Sequence, residues 1–351
     1  MALRSRPEGP RAGLFVVAAV LMVVVSACSG ATSTGSAAST STPPVSSAAG
    51  VGSFPVTIDH VYGATTIPSA PQRIVTLGLS DQDPLLALGV APIAVSAWYG
   101  DYPSAVWPWA QDELGAATPV VLNGGVRSEE APPLEEIAAL QPDLIISLYN
   151  GTTQEQYTQL SRIAPTVLPT EQYANFTITW QEATRVTGQA LGREAEALAL
   201  VNGLQQRFAA AAAEHPQFAG LTAVVAERFE PGSSVVRSGN DVRARFFADL
   251  GFAIPTSIGS AVPDQYGEIK VSDEQLPELS RDLLVWNGID ADTRKDIESA
   301  GLYPTLPVVQ AGKVLWIEDP QVSGAFTWGT ILSLDYALET LVPQIDTIIS
   351  S

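Results

Sequence analysis

Cysteine and histidine are nearly missing from this chain, with one of the former and two of the latter in 351 residues. A single thiol excludes an intrachain disulfide framework. A closed zinc site, which draws its four ligands mainly from Cys and His, has too few to choose from. Basic residues are scarce as well: 18 Lys+Arg face 37 Asp+Glu, a formal net charge of -19. So acidic a surface repels phosphate backbones, which argues against nucleic-acid partners. Catalytic signatures are also wanting, since the chain has no Gly-x-Ser-x-Gly elbow, no P-loop and no Gly-x-Gly-x-x-Gly after a strand. His60 lies in a hairpin and His215 stands beside Pro216 at a helix end. Both read as surface residues outside any triad, and no enzyme is expected. Hydrophobic residues, by contrast, make up 46% of the chain and charged ones 16%. That is enough for a sizeable core, and the length suits about two domains.

The lone cysteine has an informative position. Arg4, Arg6 and Arg11 precede an apolar run from Ala12 to Val25, which ends in Val25-Ser26-Ala27-Cys28. A basic start, a short apolar core and small residues ahead of a cleavage point read as a secretory signal over residues 1–27. The apolar core is short for a membrane-spanning helix. Val-Ser-Ala-Cys resembles the bacterial lipobox, which implies that Cys28 becomes the lipidated first residue of an actinobacterial-type lipoprotein on the outer face of the cytoplasmic membrane. Residues 28–52 are almost wholly Ser, Thr, Ala, Gly and Pro, a composition that cannot form a core and reads as a flexible tether. Cleavage would remove three arginines and one glutamate, leaving 15 basic against 36 acidic side chains and a net charge of -21.

Ordered patterning starts near Val56, with two short strands around Gly63 that read as an opening hairpin. Near-continuous apolar strands at 73–78, 92–97, 143–147 and 166–169 alternate with helical stretches at 82–88, 133–140 and 154–163. This pattern predicts a parallel α/β lobe over 53–172. Residues 180–191 and 193–215 are rich in Ala, Leu, Glu and Gln, strong helix composition, and form a connection over 173–216. Its second helix would measure roughly 34 Å at 1.5 Å per residue. Alternation resumes over 217–351, with strands at 221–229, 234–237, 283–286 and 314–317 and helices at 242–250 and 293–300. A terminal helix over 328–349 is expected to break at Pro343. The predicted fold class is α/β, two Rossmann-like lobes with mainly parallel sheets joined by one long helix.

Four stretches carry a family resemblance: Arg73-Ile-Val-Thr-Leu-Gly, Asp83-Pro-Leu-Leu-Ala-Leu-Gly-Val, Pro133-Leu-Glu-Glu-Ile-Ala-Ala-Leu-Gln-Pro-Asp-Leu-Ile-Ile and Leu160-Ser-Arg-Ile-Ala-Pro-Thr-Val. From about residue 55 to its end the chain resembles the class III (cluster A-II) solute-binding proteins of iron-siderophore, haem and vitamin B12 ABC importers, which have the helical-backbone periplasmic-binding-protein fold. The aromatic string Trp98, Tyr99, Tyr102, Trp107 and Trp109 makes it most similar to mycobacterial-type iron-complex binding lipoproteins. The resemblance implies two rigid lobes that move little and a ligand in the cleft between them, at the strand ends. The implied ligand is a ferric-siderophore complex, with haem or a corrinoid as alternatives. The implied partner is an ABC-transporter permease, reached by a monomer with no intrinsic cofactor and no directly bound metal.

The same resemblance marks site residues. Arg127, in Gly124-Gly-Val-Arg-Ser-Glu, matches an arginine that contacts hydroxamate siderophores, a task suited to the planar guanidinium fork. Tyr149 matches a ligand-contacting tyrosine whose phenol could donate to the complex or ligate haem iron. Phe326 and Trp328, expected at the start of the terminal helix, match two cleft aromatics. With Trp98 and Tyr99 they would present rings from both lobes, against which a planar ligand packs well. Trp107, Trp109, Trp286 and Trp316 read instead as core. Arg228 and Arg237 follow or end strands and, with Arg127, would make a positive pocket for an anionic iron complex; salt bridges to Glu227 or Glu230 are the alternative. Glu135 and Glu274 match the glutamates that dock a vitamin B12 binder onto permease arginines, although a place in a first helical turn gives each an ordinary structural reason.

Overall fold

The computed structural model describes residues 52–122, 131–173, 175–239, 241–264 and 266–351. The predicted signal, Cys28 and nearly all of the tether lie outside these residues, as does Arg127. The first two strands, β1 (Val56–His60) and β2 (Gly63–Ile67), pair antiparallel. Alternation decides their facing: Ile58, His60, Thr65 and Ile67 are buried and the residues between them are not. His60 is therefore an inward residue, 7% exposed, and not the surface residue expected. Its Nε2 lies 3.0 Å from Thr65 Oγ1 and its ring meets Tyr157 edge-on. Burial lowers its pKa, so it stays neutral. His215 is half-buried, stacked on Phe218 and 3.3 Å from Asp346.

The first lobe holds a five-stranded sheet of β3 (Ile74–Thr76), β4 (Ala94–Ser96), β5 (Val120–Leu122), β6 (Leu144–Ile146) and β7 (Thr166–Val167), in the order β5-β4-β3-β6-β7. Every neighbouring pair is parallel. The central strands are apolar on both faces because helices cover both. Val75 and Ile145 face a cluster with Ile137 and Leu160, while Ile74, Leu144 and Ile146 face one with Leu85, Val186 and Ala190. β5 is a short edge strand with Val120 and Val121 exposed.

The second lobe contains β8 (Ala223–Glu230), β9 (Ser233–Arg237), β10 (Glu268–Ser272), β11 (Leu283–Asn287) and β12 (Val314–Ile317), in the order β10-β9-β8-β11-β12. β8, β11 and β12 are parallel, whereas β8, β9 and β10 pair antiparallel. This sheet is mixed for a local reason. Only Pro231 and Gly232 separate β8 from β9, and so short a link permits no parallel crossover. Gly232, at φ +76°, supplies the left-handed step.

The helices Trp180–Ala190 and Glu194–Glu214 connect the lobes. Along the second of them, Ala197 belongs to the first lobe's core and Val201, Leu204 and Phe208 to the second's. The C-terminal helices differ from the expectation. Pro320–Trp328 is a helix of its own that ends at Gly329 in the left-handed conformation, φ +57°, so Phe326 and Trp328 close one helix and do not open the next. The following helix runs unbroken from Ser333 to Ser350 with Pro343 inside it.

Candidate functional site

A cavity of about 950 Å³ opens between the lobes, within the size range of small-molecule sites. Its two walls differ in chemistry. The first lobe contributes Leu79, Trp98, Tyr99 and Tyr149, joined by Phe176 from the start of the connection; the second contributes Glu227, Arg228, Arg237, Asp241, Arg243, Glu268 and Asn287, with Phe229, Tyr266 and Thr327 among them. Leu79 follows β3, Trp98 and Tyr99 follow β4, Tyr149 follows β6, Asn287 ends β11, and Glu227 lies just past the stretch of β8 that pairs with β11. The site thus lies at the carboxyl ends of parallel strands, where loops leave the sheets and ligands gather.

The aromatic wall is packed. The Trp98 ring lies 5.0 Å from Tyr99 and 6.1 Å from Tyr149, and Tyr149 lies 5.9 Å from Phe176. Burial pushes the Tyr99 phenol up to about 12, partly offset by its bond to Thr327 and the charge of Arg243. Burial also raises Tyr149, with Arg243 and Arg245 opposing. Both phenols are hydrogen-bond donors at neutral pH. A backbone knot holds Tyr149 in place: the Asp81 carboxylate accepts from the amides of Gly78, Leu148 and Tyr149 at 2.9, 2.7 and 2.9 Å.

The polar wall is an ion-pair network. Arg237 donates through Nε to Glu227 Oε2 at 2.6 Å and also pairs with Glu268, which stands opposite it in the β9–β10 register. Arg243 grips Asp241 through Nε and Nη2 (2.9 and 2.6 Å) and reaches Glu227 Oε1 at 2.9 Å. Asn287 donates to the same Glu227 oxygen at 2.8 Å. Arg228 is held by Asp273 and, at 2.6 Å, by Asp296. Asp241 stays below the usual carboxylate range because, although burial works against it, Arg243 and Arg237 flank it. Among the described residues no group of three or more His, Cys, Asp or Glu is placed to hold a metal ion.

The structure therefore gathers Trp98, Tyr99, Tyr149, Arg228 and Arg237 around one cavity. It corrects two other expectations. Phe326 is fully buried against Phe246 and Phe247 because its side of the helix faces the core, and Thr327 beside it lines the cavity instead. Trp328, 2% exposed, is a lobe-to-lobe contact behind the cavity, its ring 5.8 Å from Trp98 and 5.9 Å from both Trp107 and Trp109. The positive pocket is likewise absent among the described residues, because each lining arginine carries carboxylate partners. Glu227 is one of them, as the alternative reading had it, while Glu230 makes no ion pair among the described residues. Trp286 is fully buried and Trp107 nearly so, whereas Trp109 and Trp316 are half-buried. Glu135 and Glu274 are exposed, in the first turns of Leu134–Ala139 and Asp273–Leu279. Sequence reasoning missed Arg243, although Asp241 directly before a helix is an N-cap signal that would have placed both residues at a strand-to-helix loop.

Comparison with known proteins agrees with this architecture. The chain is 30% identical over 341 residues to the probable siderophore-binding lipoprotein YfiY of Bacillus subtilis, covering 93% of this chain and 95% of that one. It is 32% identical over 168 residues to the Fe(3+) dicitrate-binding periplasmic protein FecB of Escherichia coli, covering 47% and 52%. A periplasmic solute-binding protein of Mycobacterium smegmatis superposes with a TM-score of 0.74 and 32% identity, covering 84% of this chain and 98% of that one. The family resemblance drawn from the four sequence stretches is borne out. Residues 74–319 match the periplasmic binding protein family, and the chain belongs to it.

Proposed function

We propose that this protein is the substrate-binding component of an ABC importer, capturing a ferric-siderophore complex between its lobes and delivering it to a membrane permease. The observation that carries this reading is the interlobe cavity of about 950 Å³, aromatic on one wall and hydrogen-bonding on the other. A bulky chelate with apolar ribs and polar edges fits such a site, and its own donors satisfy the iron. Relatives named for siderophore and ferric citrate binding support the substrate class. Two relatives named as lipoproteins support an anchor at Cys28, which would hold the receptor at the outer face of the membrane. Exposed Glu135 and Glu274 are the proposed docking points for permease cations. Haem, which needs an axial ligand, finds no histidine among the described residues that line the cavity.

Trp98 sits on the cavity wall and couples to Trp328, so intrinsic fluorescence should report occupancy. A panel of ferric siderophores should quench it saturably with dissociation constants below about 1 μM, and haem should give no saturable Soret shift. No quenching by any ferric chelate, or a saturable Soret shift lost on Tyr149→Phe, would sink the siderophore reading.

A further inference from the structure

Resting on that reading, we infer that the cleft selects iron chelates of zero or positive net charge and discriminates against polyanionic ones. The argument is charge arithmetic at the polar wall. Arg228, Arg237 and Arg243 have side-chain exposures of only 2, 7 and 9%, and five carboxylates hold them: Glu227, Asp241, Glu268, Asp273 and Asp296. Arg245, mostly buried and acting on Asp241 and Tyr149, adds a fourth cation, and the five carboxylates still outnumber the four arginines. Two of the five, Glu227 and Asp241, are only 6% exposed, so they cannot swing into water to make room for a ligand anion without breaking buried pairs. Breaking a buried pair leaves an uncompensated charge, which is strongly unfavourable.

The other three carboxylates are 32 to 39% exposed and could yield. Exchanging one of them for a ligand oxygen only replaces one negative charge by another, and the ligand still loses its hydration. A trianion would need three such exchanges beside two fixed carboxylates. The whole chain, at -19, also slows the approach of anions. The opposite wall, with Trp98, Tyr99 and Tyr149, offers ring faces that suit apolar and cationic groups alike.

Siderophore chemistry divides along the same line. Three monoanionic hydroxamates cancel the charge of Fe(III), and a free amine on the chelator makes the complex cationic. Catecholate and citrate chelates keep a negative charge. The class assigned to this site is therefore the trishydroxamate.

The test titrates the full chain with ferrioxamine B (cationic), ferrichrome (uncharged), ferric citrate and a ferric tris-catecholate (trianionic), read by tryptophan quenching at two salt concentrations. The cationic or the uncharged complex should bind on the order of 100-fold tighter than the trianion. Salt should narrow that gap by screening the repulsion. Glu268→Gln, at a partly exposed edge-strand position, should cut the preference several-fold while circular dichroism stays unchanged. Tightest binding of the trianion or of ferric citrate overturns the inference but leaves siderophore capture standing. An unchanged preference in folded Glu268→Gln overturns its assignment to this network. Silence across all four complexes overturns the underlying reading instead.

Discussion

At the scale of single residues the unusual feature is a pair of buried carboxylates, Asp81 and Asp83, with no cation partner among the described residues. Asp81 ties the loop after β3 to the loop carrying Tyr149, and Asp83 accepts from Trp109 Nε1 at 3.0 Å and from Thr330 of the second lobe. Burial pushes the Asp83 carboxyl from 3.8 up to about 6, with the hydrogen bonds from Thr330 and Trp109 opposing. The folded protein therefore holds that proton to higher pH than the unfolded chain does. Stability from this group is fully present below about pH 4 and is lost as pH rises through about 6. The shift of about 2 units corresponds to about 3 kcal/mol. Asp83→Asn cannot titrate. Urea unfolding should therefore find wild type about 3 kcal/mol better at pH 4 than at pH 7 relative to the variant, and a pH-independent difference would contradict this. Burial raises Asp81 to about 6 as well, its three amide bonds opposing, and those bonds give Asp81→Asn a different outcome. Its Oδ2 accepts two backbone amides and its Oδ1 a third, so an amide NH2 in Asp81→Asn must face a donor wherever it turns. The expected loss is about 1–3 kcal/mol at pH 7, together with weaker quenching by bound chelate as Tyr149 shifts.

At the scale of elements, legibility follows how much of the signal is local. The central strands were readable because burial on both faces makes them continuously apolar, and the connecting helices because their composition is helical throughout. β5 and β10 were not. One is a three-residue edge strand with two exposed valines, and the other alternates Glu268, Ile269, Lys270 and Val271 with only its inward residues buried. Missing β10 hid half of the polar wall, since Glu268 meets Arg237 only through strand register. Trp98, Tyr99 and Tyr149 were legible because each follows an apolar strand. The end of the helix at Trp328 was not legible, because Gly329 could be read as a helix interior until its backbone proved left-handed. Close packing also appears only in three dimensions. A Cβ on Gly188 would lie 2.3 Å from Ala197 Cβ and 3.1 Å from the Arg193 carbonyl oxygen, where the two connecting helices cross. Gly188→Ala should therefore cost about 1–3 kcal/mol by overpacking despite the better helix propensity of alanine, measurable as a lowered midpoint in thermal unfolding. A gain in stability would show that the helices can part at no cost.

At the scale of the whole molecule, the long helix and the tryptophan cluster make one mechanical unit of two lobes. A single rigid rod contributes side chains to both cores, and Trp328 packs on Trp98, Trp107 and Trp109. Tryptophan fluorescence and far-ultraviolet dichroism should accordingly report one coincident unfolding transition, and two resolved transitions would disprove the coupling. A large closure would have to part the Trp328 packing between the lobes, so fixed surface groups presented by both lobes are the expected basis for recognition by a permease. Glu135 and Glu274 are such groups. Each stands exposed in the first turn of a short helix, one per lobe, and hydrogen bonds from Ser272 and its own backbone amide hold Glu274 below the usual glutamate range, keeping it charged. Neither lines the cavity. Charges at a contact rim act mainly on association rate and salt dependence. Glu135→Ala with Glu274→Ala should therefore leave chelate affinity unchanged while lowering uptake of labelled iron chelate in proteoliposomes containing the cognate permease. The deficit should be larger at low salt, where the attraction of the wild-type charges is least screened. Equal uptake by the double variant at low salt would remove both glutamates from the docking surface.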